Sequence, residues 1–249
     1  MSVVADHMTA GQVRKALAEY ANPDDAANLQ RFFKTGPGEY GEGDVFIGVR
    51  VPVTRSVAKR FSTLSLVEID ELLNDPVHEH RMAALVILGN LFTRVSTPRA
   101  YDAAARDEIA ARYLAAVRRG CVNNWDLVDV SAEKIIGPWL FGKPIDLLME
   151  LAAADSLWER RVALLATFAF IKSGDPAPTF TVAEHLLDDR RDLIQKALGW
   201  MLREVGKRID QRLLTDFLNH HAPGLGRTAL SYATEHLTPE QRARYRALR

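Results

Sequence analysis

Residues 123–129 read Asn-Asn-Trp-Asp-Leu-Val-Asp and hold the pair with the most chemistry in the chain. Trp125 and Asp129 stand four apart, so on a helix they share one face, a turn from each other. An indole face attracts a cation by ~0.5–2 kcal/mol. A carboxylate adds Coulomb attraction that grows as water is excluded. Similar pairings recur downstream: Trp158 lies three before Arg161, Lys196 four before Trp200, and Arg203 three after it. The fourth tryptophan, Trp139, follows Pro138 and reads as packing. Plainer readings stand beside this one. A lone tryptophan on a helix is usually core, Asp129 could pair with Arg161 of the next helix, Asp126 could be structural, and cations beside apolar runs often form a solvated edge. The combination is harder to explain that way, because a core prefers leucine and isoleucine to indoles interleaved with ions.

A cleft with two indole faces and a carboxylate suits a flat cation. A purine alkylated at N3 or N7 is one, and its glycosidic bond is already weakened by the electron-poor ring. As that bond breaks, positive charge moves to the deoxyribose. A carboxylate placed there stabilises the transition state more than the ground state. It can also orient or deprotonate the attacking water.

Helices must position these groups. VRKALAEY, RMAALVILGNLF, RVALLATFAFI, LIQKALGWMLREVG and RTALSYATEHL all carry helical period. VFIGVRVPV (45–53) is the one β-like run, and Pro52 reads better as the first turn of a helix. DPVHEHRMAAL, DSLWERRVALL, DRRDLIQKALGW and HAPGLGRTALSY share a plan, with basic anchors at Arg81, Arg161, Lys196 and Arg227. The last three are spaced 35 and 31 apart, a period that suits paired helices of the HEAT or armadillo kind stacked into a solenoid with a concave face. TGPGEYGEGD (35–44) and SGDPAPT (173–179) are the loop signals, and neither reads as a domain linker.

Bulk properties set the bounds. The 249 residues carry 32 Lys plus Arg against 32 Asp plus Glu, so net charge gives no vote for nucleic acid and only a local basic face could. One cysteine, Cys121, rules out a disulfide framework and a cysteine-rich zinc site. Met1 to Met8 lacks the pattern of a signal peptide, and no uncharged stretch reaches ~18 residues, the length of a membrane span. A cytoplasmic protein with access to the nucleoid is the expectation.

At this point the chain resembles the AlkD-type DNA alkylation repair glycosylases, which are built from HEAT-like repeats. The likeness runs over roughly residues 15 to 235. It is carried by WDLVD (125–129), LWERRVALL (157–165) and above all LIQKALGWMLREVG (193–206). FIGVRVPVTRSVAK (46–59) matches the family's G-x-x-x-P-x-x-R-x-x-x-K helix, and NPDDAANLQRFFK (22–34) its N-terminal helical pair. The resemblance implies an all-α, right-handed solenoid forming one domain over 1–249. A helical pair occupies about 10–35, the glycine-rich loop 35–44 and the repeats 45–236. It implies Trp125 and Trp200 as indoles of the lesion cleft, Asp129 as the catalytic carboxylate and Arg161 as the residue holding the backbone beside the lesion. Arg55, Lys59, Lys196 and Arg203 would hold phosphates. The implied partner is duplex DNA containing alkylated purines, engaged without base flipping by a monomer, with no membrane, metal or organic cofactor.

Phe32 stands where the family pattern has a tyrosine, glycines at 36, 38, 41 and 43 lengthen a connection, and the chain is less basic than the family usually is. Residues 156–208 carry nine Lys or Arg against seven Asp or Glu, and 226–249 carry five against two, so a basic surface must come from arrangement. Small methyl lesions are the default substrate, with bulky minor-groove adducts as a variant. A DNA-binding module without catalysis and a protein scaffold remain open readings.

Overall fold

The computed structural model describes residues 8–248. Residues 1–7, which the leader reading used, lie outside the described residues. The described residues form fifteen helices and no strand, which is the all-helical class expected from the sequence. No helix among them is long and apolar enough to cross a membrane. The chain divides into two compact units, Met1–Ser131 and Ala132–Arg249.

The first unit holds α1 (Ala10–Ala18), α2 (Pro23–Phe32), α3 (Val51–Arg60), α4 (Leu66–Leu73), α5 (His78–Val95), α6 (Ala103–Arg118) and α7 (Trp125–Asp129). Side-chain caps start most of them: Thr9 forms a capping box on α1, and Asn22, Ser65, Asp102 and Asn124 cap α2, α4, α6 and α7. Helix α5 is the hub, packed by α1, α3, α4, α6 and α7. It is buried on nearly every side from His78 to Phe92, so the charged residues of its first turn must find partners inside the protein.

One of those partners is backbone. The Glu79 carboxylate accepts from the amide N–H groups of Ile47, Gly48 and Val49 at 2.8–3.1 Å. Gly48 has φ 82°, and a Cβ there would lie 2.0 Å from the carbonyl oxygen of Asn22, so only glycine fits. The segment bearing VFIGVRVPV is therefore pinned as a loop, with a single bridge between Val45 and Val77. It delivers the chain into α3, where Pro52 occupies the first turn as its sequence context predicts. Glu79→Ala is expected to destabilise the first unit by about 3–5 kcal/mol, because three amides lose their acceptor together. Urea denaturation followed by circular dichroism measures it.

The second unit holds α8 (Ala132–Trp139), α9 (Asp146–Ala153), α10 (Leu157–Lys172), α11 (Ala177–His185), α12 (Asp192–Arg208), α13 (Gln211–His221), α14 (Arg227–Ala233) and α15 (Pro239–Ala247). Sequential helices pack on one another, with α10 against α8, α9, α11 and α12, and α12 against α13 and α14. Gly199 lets α14 approach α12, since a Cβ there would fall 2.3 Å from the Ala229 carbonyl oxygen.

Two details depart from the repeat plan. The stretch CVNNWDLVDVSAEKII reads as one helix, yet α7 stops after five residues and α8 begins at Ala132. At the break the Ser131 hydroxyl lies 2.5 Å from the Leu127 carbonyl oxygen and 3.1 Å from the Tyr113 hydroxyl, a local bonding option that competes with regular helix. Arg227 opens its helix, whereas Arg161 and Lys196 sit in the second turn of theirs.

Candidate functional site

The first unit carries an open cleft of about 770 Å³ between α2, the start of α3, α5 and α7. Trp125 and Asp129 both line it, one turn apart on α7, and both are partly exposed. The short helix is aimed from its N-terminus, where the side chain of Asn124 accepts from the Trp125 amide at 2.9 Å.

The indole is held by a stack of rings. Phe33 stacks on Trp125 at 5.3 Å and 24°, and Phe32 meets it edge-on at 6.1 Å and 70°. Phe33 continues onto Phe46 at 5.1 Å, and Phe46 onto the His78 imidazole at 4.5 Å. Leu29, Val51 and Met82 add apolar wall, and Phe32 remains 63% exposed. At the rim Arg50 forms a two-bond pair with Asp25, at 3.1 and 3.0 Å.

Beneath Trp125 lies a chain of alternating charges. The Arg81 guanidinium donates to Asp44 at 2.5 Å. His78 Nδ1 donates to Asp44 at 3.0 Å, and its Nε2 donates to Asp126 Oδ2 at 2.9 Å. The side-chain amides of Asn123 and Asn124 also donate to Asp44. Burial works against charge on His78, but the hydrogen bonds to Asp126 and Asp44 outweigh it and raise its pKa to about 9. Burial likewise opposes the Asp44 anion, and His78 with Arg81 more than reverse that, lowering its pKa to about 2. At neutral pH the row therefore reads plus, minus, plus, minus from Arg81 to Asp126.

These shifts couple stability to pH. A raised histidine pKa contributes stability that is complete below the unfolded value of about 6.5 and is lost as pH rises through about 9. The Asp44 contribution is complete above about 3.8 and is lost only as pH falls through about 2. The urea midpoint is expected to fall steadily from pH 6.5 to 9.5, and His78→Gln is expected to flatten that slope.

The remaining residues singled out in the sequence lie elsewhere. Arg55 and Lys59 are exposed, four apart on α3, outside the lining of the cleft. The other four belong to the second unit. Arg161 is 4% exposed and donates to the Leu193 carbonyl oxygen at 2.6 Å, which ties α10 to α12. Lys196 pairs with Asp192 at 2.8 Å, and Arg203 pairs with Glu235 and Glu204. Trp200 is partly exposed and packs at 5.9 Å against Phe168. Sequence reasoning passed over Asp44, His78, Phe33 and the Asp25–Arg50 pair. Two histidines opening an apolar helix in HEHRMAAL were the available signal.

The family model for DNA alkylation repair enzymes matches residues 13–237. The fold is similar to a solved structure of a predicted DNA alkylation repair enzyme from Enterococcus faecalis. The TM-score is 0.64 and the identity 18%, over 88% of this chain and 97% of that one. No curated protein shows a detectable match to this chain. With the model spanning almost all of its helices, the chain belongs to the DNA alkylation repair enzyme family.

Proposed function

We propose that the protein is a DNA glycosylase that hydrolyses the bond between deoxyribose and a cationic N3- or N7-alkylated purine in duplex DNA, without flipping the base. The observation that carries this reading is one cleft holding a ring-stacked indole and a carboxylate, Trp125 and Asp129, a turn apart. The indole contributes cation–π attraction to the damaged ring. The carboxylate meets the positive charge that develops on the sugar and stabilises the transition state preferentially. The leaving purine takes the bonding pair and departs neutral, which is why a cationic base is the substrate and an ordinary one is not.

The reading treats both units as parts of one repeat domain. Within the first unit it takes Arg55 and Lys59 as contacts to DNA phosphates, and within the second it takes Arg161, Lys196, Trp200 and Arg203 as further contacts to DNA. Arg55 and Lys59 suit that task, since no hydrogen bond or ion pair engages either among the described residues. No step needs a metal or organic cofactor.

Incubation with a duplex bearing a single 7-methylguanine, followed by alkali, tests the reading. Strand breaks at the lesion support a glycosylase. Duplex affinity without breaks supports a non-catalytic module, and the absence of affinity at low salt supports a scaffold.

The size and apolar wall of the cleft favour one refinement, acceptance of bulky alkyl adducts. The exposed Phe32 ring beside Trp125 provides a surface for such a group where a tyrosine would provide a hydroxyl. A duplex carrying a bulky N3-adenine adduct, compared with 3-methyladenine, tests it.

A further inference from the structure

Helix α7 brings a second carboxylate to the cleft beside Asp129. Asp126 is 7% exposed, and its Oδ2 is held by His78. Its Oδ1 is buried and has no hydrogen-bond partner. A buried carboxylate oxygen with open lone pairs is costly unless something donates to it. Next to the cleft lies a small chamber of about 40 Å³, lined also by His78, Glu79 and Thr54. Chamber and cleft share Leu29, Phe33, Arg50, Val51, Met82 and Asp126 in their linings. The space exceeds the roughly 30 Å³ that one water occupies in the liquid, and it presents polar groups to that water.

We propose that Asp126 holds the hydrolytic water in this chamber and acts as its general base, while Asp129 serves the sugar cation. The inference rests on the glycosylase reading above and divides the labour between the two carboxylates of α7. The water oxygen forms the new bond to C1′ as the bond from C1′ to the purine nitrogen breaks. The electron pair of that bond leaves with the purine and cancels its positive charge. The water proton passes to Asp126 Oδ1. The products are a neutral alkylpurine, an abasic site and a protonated Asp126, which returns its proton to solvent. His78 is a positioning residue. Its hydrogen bond to Oδ2 leaves Oδ1 as the oxygen that receives the proton.

Two measurements test this. In Asp126→Asn the amide oxygen still accepts from His78, but the NH2 group replaces the base. Single-turnover release of 7-methylguanine is expected to fall about 100-fold or more at a temperature where the variant is fully folded, with duplex affinity unchanged and a lower melting temperature from the charge lost beside His78. Azide needs no base, so it is expected to restore part of the rate in Asp126→Ala and to give a 1′-azido sugar. It is expected to do neither in Asp129→Asn. The wild type gives a second readout without any variant. In aqueous methanol, the chamber is expected to exclude the larger alcohol, so methyl glycoside forms at less than its mole-fraction share. Release by Asp126→Asn within about threefold of wild type, an azide effect confined to Asp129→Asn, or methyl glycoside at its mole-fraction share would overturn the proposal. A wild type that releases no 7-methylguanine would instead locate the failure in the glycosylase reading.

Discussion

Asp129→Asn is expected to lower single-turnover release of 7-methylguanine from duplex DNA by about 10²–10³-fold, the loss typical of removing one preorganised charge-stabilising group. The change keeps size and shape and removes only the negative charge. That charge is worth little while the positive charge sits on the purine and most when it reaches the sugar, so the loss falls on the chemical step. Duplex affinity is expected to stay the same or tighten, because an anion facing phosphates opposes binding. Titration of a labelled duplex and quenched-flow release of free base together measure both halves. A matching drop in affinity and rate would mean that Asp129 works only as a structural group.

Asp44→Ala is expected to cost about 3–5 kcal/mol of stability, the usual penalty for removing one member of a buried ion group. Asp44 accepts from Arg81, His78, Asn123 and Asn124 at once. Its loss strands the buried Arg81 guanidinium and leaves His78 with Asp126 as its one remaining carboxylate partner. It also frees Asn124, the cap that aims α7 and with it Trp125 and Asp129. The variant is therefore expected to lose activity by unfolding or by misaiming α7, although Asp44 is absent from the cleft lining. Differential scanning calorimetry of wild type and variant gives the magnitude. A transition shifted by less than a degree would show that the charge row is not a structural element.

What the sequence reveals and what it conceals follow from how far apart the interacting residues are. Trp125 and Asp129 are legible because their relation is one helical turn, a distance that sequence spacing encodes directly. The start of α3 is legible because Pro52 has few places to go. Asp44 is not, since it sits in a glycine-rich stretch that reads as loop, and its partner His78 lies 34 positions away. Arg81 fits the repeat pattern as a basic anchor, and the pattern carries no hint that its partner is that loop residue. For Asp126 the sequence leaves a structural role open, and its bond to His78, 48 positions away, is beyond what spacing encodes. Its place in the cleft lining depends on the break after α7, which the Tyr113 and Ser131 hydroxyls attend from outside the local pattern.

The central claim is that this cleft lowers the barrier to losing a positively charged nucleobase. Free-base release from two duplexes that differ at one position, 7-methylguanine in one and the uncharged 8-oxoguanine in the other, tests it most directly. The account predicts release of 7-methylguanine well above its spontaneous rate and no enzymatic release of 8-oxoguanine. Equal release from both duplexes, or from neither, would contradict it.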